Sequence, residues 1–103
     1  MSGPKLAYQF IIAGKVQGVG FRYFTQSKAQ DYALNGWVRN LIDGRVEALA
    51  VGDEMALNRF AIDMNRGPES SHVISVERHS IEGAPEMSGF NIEKDGEKPW
   101  QKD

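Results

Sequence analysis

The chain has 103 residues, 41% of them hydrophobic and 25% charged, a length and balance that suit one globular domain and leave no room for two. It has no cysteine, which excludes a disulfide framework, a thiolate zinc site, an iron–sulfur cluster and a cysteine nucleophile. A net charge of -2 argues against a general nucleic-acid or anionic-membrane binder, although a local patch can still bind.

Leu6, Tyr8, Phe10 and Ile12 alternate with their neighbours, which predicts a strand ending at Gly14. Ile11 and Ala13 make its second face partly apolar, as a central strand would be. Phe21, Phe24, Lys28, Tyr32 and Ala33 fit one side of a helix, with Gly36 as its stop after Asn35. A short extended segment follows over residues 37–41. Asp43-Gly44 reads as a two-residue hairpin turn, with the returning strand over residues 46–51. Asp53 can cap a second helix, whose apolar residues Leu57, Phe60, Ala61 and Met64 share one face, and Gly67-Pro68 stops it. Residues 73–81 contain a fourth strand, and Phe90 and Ile92 flank Asn91 in a short last one.

The order is βαββαβ plus a short extra C-terminal strand. Two helices with one apolar stripe each cover one face of a sheet, so the expected fold is α+β: a two-layer, ferredoxin-like sandwich with an antiparallel sheet. Residues 1–103 form one domain with its core at about residues 6–94 and loose tails at 1–4 and 95–103. Trp100, in that tail, either docks on the body or stays exposed. The apolar stretch at residues 6–13 is far shorter than the ~20 residues a membrane span needs and lacks the marks of an export signal, so cytoplasm is the expected location.

The informative segment is Gly14-Lys15-Val16-Gln17-Gly18-Val19-Gly20-Phe21-Arg22, which joins the first strand to the first helix. Two glycines two apart let backbone N–H groups turn inward around a small concavity, and the unpaired N–H groups of the helix start face the same way. A cation such as Arg22 in a first helical turn is unfavourable by about 0.3–1 kcal/mol; a bound anion reverses that sign, and the guanidinium fork can then grip two of its oxygens. A glycine-rich turn beside an arginine is also compatible with being only a turn. No Gly-Lys-Ser/Thr follows, so this is not a Walker loop, and the third glycine of a dinucleotide fingerprint is missing. In the second segment, Gly36-Trp37-Val38-Arg39-Asn40-Leu41-Ile42-Asp43-Gly44, the Asn40 amide both donates and accepts, which suits either holding a water or stabilising the turn.

Together, Val16-Gln17-Gly18-Val19-Gly20-Phe21-Arg22, Gly36-Trp37-Val38-Arg39-Asn40 and Asp43-Gly44 make the chain resemble the acylphosphatase family, with Gly67-Pro68 and Phe90-Asn91-Ile92 as supporting marks over residues 6–94. The resemblance implies hydrolysis of acyl phosphates to carboxylate and inorganic phosphate. It implies that Arg22 and the loop amides of Gln17, Gly18, Val19, Gly20, Phe21 and Arg22 bind the phosphate, and that Asn40 orients the attacking water. Leu41 and Arg45 stand where family members often have threonine, and Ala48 where glycine is common.

This reading needs no cofactor and no metal. The leaving carboxylate requires no general acid, and phosphoryl transfer is mostly positioning and charge stabilisation. Direct in-line attack by water is expected, with inorganic phosphate as product and inhibitor and a monomer as the working state. His72 and His79 read as surface or packing residues, Met55 and Met64 as helix packing. Lys15, Lys28, Arg39 and Arg45 either draw anions in or are solvated charges. Two competing readings are a non-catalytic phosphate- or anion-binding module on the same fold, and RNA binding on an open sheet face.

Overall fold

The computed structural model describes residues 5–83 and 85–101; the expected loose start at 1–4 and the last two residues lie outside them. The elements are β1 (Leu6–Lys15), α1 (Phe21–Asp31), β2 (Asn35–Asn40), β3 (Val46–Gly52), α2 (Glu54–Arg66), β4 (His72–Ile81) and β5 (Phe90–Ile92). The sheet order is β4-β1-β3-β2-β5. β1, β2, β3 and β4 are antiparallel neighbours, as expected, and β5 adds alongside β2 in the parallel sense. The sheet is therefore mixed. β1, β3 and β2 lie inside it, with β4 and β5 at its borders.

Both helices pack on one face. Phe10, Ile12, Val38, Val46, Ala48 and Ala50 from the sheet meet Phe21, Ala29, Leu57, Phe60 and Met64 from the helices in one core. The Phe10 and Phe60 rings meet edge-on at 5.2 Å, a geometry favoured by their quadrupoles. Asp53 caps α2 by accepting the Ala56 N–H at 2.9 Å, and α2 buries Leu57, Phe60 and Met64 as its spacing predicts. Met55, expected to pack, is instead exposed. The stripe of α1 is rotated from the expected one. Its buried residues are Phe21, Thr25 and Ala29, one per turn, and the Thr25 hydroxyl donates to the Phe21 carbonyl at 2.9 Å.

One helix stop and one turn differ from expectation. Helix α1 ends at Asp31, and Ala33, not Gly36, takes the left-handed turn at φ 56°. A bond from the Leu34 N–H to the Ala29 carbonyl at 2.9 Å holds that turn. Gly36 lies inside β2, where an added Cβ would sit 1.8 Å from the Leu49 carbonyl oxygen, so it serves close strand packing. The β2–β3 connection is a three-residue loop, not a two-residue one. The Leu41 N–H donates to the Arg45 carbonyl at 2.8 Å and the Gly44 N–H to the Leu41 carbonyl at 3.1 Å, so a turn closes first and left-handed Gly44 then rejoins the strand.

Over residues 95–101 the tail is not loose. Gly96 pairs with Leu41, donating its N–H to the Asn40 carbonyl at 2.9 Å and accepting the Ile42 N–H at 3.0 Å. Glu47, fully buried, accepts from Gln9 Nε2 at 2.6 Å, Arg39 Nε at 2.8 Å and the Trp100 backbone N–H at 2.7 Å. Trp100 thus docks on the body, half-buried. The sheet face away from the helices, which an RNA platform would need open, is crossed by this segment; Ile11, Glu47 and Leu49 are buried there.

Candidate active site

The loop leaves β1 at Lys15 and enters α1 at Phe21. Gly18 and Gly20 have φ of 71° and 77°, the left-handed region that side chains disfavour. A Cβ at either would meet nothing within 4 Å, so backbone twist and not lack of room demands glycine, and the space before both is open. Gly20 is the N-cap of α1 and makes no side-chain cap bond. Its carbonyl accepts the Phe24 N–H at 3.0 Å, so the N–H groups of Phe21, Arg22 and Tyr23 have no partner within the helix.

A hollow of about 90 Å³ opens there, lined by Val16, Gly18, Gly20, Phe21, Arg22, Tyr23 and Asn40. Of the predicted residues, Gly18, Gly20, Phe21, Arg22 and Asn40 are thus brought together, although Asn40 lies on a different strand. Gln17 and Val19 do not line it. Val19 packs against the core. The Gln17 side chain turns away and donates to the carbonyls of Leu41 at 2.7 Å and Arg45 at 2.9 Å, tying the loop to the hairpin that carries Asn40. Both acceptors are main-chain atoms, so the unusual residues at Leu41 and Arg45 leave the tie intact. Phe21, buried beneath the loop, meets Phe24 edge-on at 5.9 Å.

Among the described residues no protein group hydrogen-bonds the Asn40 amide, and Arg22 has one charged neighbour, Asp95 Oδ1, at 3.8 Å from Nη1. Of the other cations, Arg39 is committed to Glu47 and Arg45 to Asp43 at 2.8 Å each. The Arg45 side chain holds the Asp43 carboxyl below its ordinary value, chiefly by hydrogen bonding. Lys28 lies over the Phe24 ring. His72 and His79 are on the exposed face of β4, His79 beside Glu77 at 3.1 Å. Among the described residues no three His, Asp or Glu side chains gather to hold a metal ion. Two residues with contacts at the site, Asp95 and the Gln17 side chain, carry no periodic signal in the sequence; both act through polar contacts to distant segments. A larger open groove of about 480 Å³ between Lys5, Asn35 and Met87 lies at the other end of β2, a strand length of ~17 Å away, and contains none of the motif residues.

The sequence model of the acylphosphatase family matches residues 8–92. The chain belongs to the acylphosphatase family. The acylphosphatase of Koribacter versatilis is 40% identical over 85 residues, 82% of this chain and 77% of that protein. That of Acaryochloris marina is 49% identical over 82 residues, 80% of this chain and 87% of that protein. The crystal structure of the acylphosphatase from Bacillus subtilis superposes with a TM-score of 0.83 at 42% identity, covering 84% of this chain and 97% of the other. The protein is an enzyme that hydrolyses acyl phosphates to carboxylate and inorganic phosphate.

Proposed function

We propose that the hollow at the start of α1 receives the phosphoryl group, with the Arg22 guanidinium and the main-chain N–H groups of Gly18, Gly20, Phe21 and Arg22 as its donors, and that the Asn40 amide orients the attacking water. The observation that carries this reading is the shared hollow: left-handed glycines, an unfilled helix N-terminus, one arginine and one unpartnered amide face the same small space. Its volume of about 90 Å³ is far below the ~300–1,000 Å³ of sites that engulf drug-sized ligands, so the acyl part extends into solvent.

The reaction balances without further groups. The water oxygen bonds to phosphorus as the bond from phosphorus to the acyl oxygen breaks, and that electron pair leaves on the carboxylate. The water's proton goes to a phosphoryl oxygen. A carboxylate is a weak base, with its conjugate acid near pKa ~4 by analogy with side-chain acids, so it departs unprotonated. Charge-assisted hydrogen bonds contribute roughly 1.5–3 kcal/mol each, and three or four of them preorganised on the transferring group are of useful size, although they do not add cleanly. The enzyme works without a metal, as a single-domain cytoplasmic monomer.

The test is hydrolysis of benzoyl phosphate with chelator present. Arg22→Ala should raise the inhibition constant for inorganic phosphate and lower kcat/KM by about 10²–10³-fold. Asn40→Ala should lower kcat by a similar factor with little change in phosphate affinity. Undiminished turnover in either variant rejects the role given to that residue, and loss of activity on chelation rejects the metal-free mechanism.

A further inference from the structure

The Asp95 carboxylate stands 3.8 Å from the Arg22 guanidinium, beyond the residues that the family model matches. It is not there by chance of a free tail. Gly96 is bonded to the Asn40 carbonyl and the Ile42 N–H, and Arg39 donates to the Lys98 carbonyl at 3.1 Å. The strap then ends on buried Glu47 through the Trp100 N–H. A separation of 3.8 Å is too long for a hydrogen bond, so the carboxylate does not aim the guanidinium directionally; it acts on it by charge. A phosphate bound on Arg22 would share that cation with Asp95, and the two anions repel. We infer that Asp95 is a built-in counter-charge of Arg22 that weakens the hold on the phosphoryl group and so speeds release of inorganic phosphate, making it a positioning residue for the family's reaction. This rests on Arg22 being a phosphate donor.

The test compares Asp95→Asn, Asp95→Glu and Arg22→Ala with the parent, reading inhibition by inorganic phosphate and KM and kcat for benzoyl phosphate at low and high salt. Asp95 is exposed, and Asn keeps its shape, so folding is preserved. Asp95→Asn should lower both the phosphate inhibition constant and KM by about two- to five-fold at low salt, the range of an exposed ion pair, with a smaller change in kcat. The gain should shrink at high salt, and Asp95→Glu should restore parent values. An unchanged or weaker phosphate affinity in Asp95→Asn, with Arg22→Ala abolishing binding, overturns the counter-charge and leaves the site intact. If Arg22→Ala leaves phosphate affinity unchanged, the site assignment itself falls, and this inference with it.

Discussion

Gly20 joins a strained backbone to open space: its φ is 77° and a Cβ placed on it would meet no atom of a more distant residue within 4 Å. Gly20→Ala should therefore cost only about 1–2 kcal/mol of stability, the usual cost of a left-handed side chain, measured by urea unfolding. Activity should fall much further, because the same backbone turn aims the N–H groups of the loop. Comparable losses of stability and activity would show that the loop tolerates another geometry. With no histidine lining the hollow, turnover should be nearly flat between about pH 5 and 8, where a histidine would titrate. A pH–rate profile with a sharp bell in that window would reveal an overlooked acid or base.

At the scale of elements, the two helices are pinned where they cross. The Tyr32 hydroxyl, at the end of α1, donates to Asp63 Oδ2 on α2. That bond, assisted by desolvation, raises the phenol above its ordinary 10.0. The folded protein thus holds this proton more tightly than the unfolded chain. The contribution is complete below about pH 10 and is lost as pH climbs through the raised folded value. Tyr32→Phe should lower stability by about 1 kcal/mol at neutral pH and flatten the decline in melting temperature between pH 9 and 11, followed by circular dichroism.

Strand β1 and helix α2 are legible from the spacing of their apolar residues, β3 as the return from the Asp43-Gly44 turn, and the segments that carry Arg22 and Asn40 as motifs. The stripe of α1 is not legible, because Thr25 is polar yet buries its hydroxyl against its own helix. The docked tail was invisible for a related reason. Gly96 and Trp100 are held mainly through main-chain N–H and carbonyl groups, which leave no mark in the order of side chains. The same holds for Gln17, whose acceptors are main-chain carbonyls.

Across the whole molecule, Glu47 joins β1, β2, β3 and the tail through Gln9, Arg39 and Trp100. Glu47→Ala should cost roughly 3 kcal/mol, since it strands partners that were satisfied by a buried charge. The chemical-denaturation midpoint should drop, and Trp100 should become more accessible to a fluorescence quencher. An unchanged midpoint would mean the tail contributes nothing to the fold. The opposite border of the sheet is β4, ten residues long and flanked only by β1, with Ile74 exposed on it. Such a border invites a second copy to zip alongside and begin a fibre. Glu77, Arg78 and His79 run consecutively there. An antiparallel twofold centred on Glu77 would press carboxylate against carboxylate, an unfavourable pairing. The border thereby discourages its own kind.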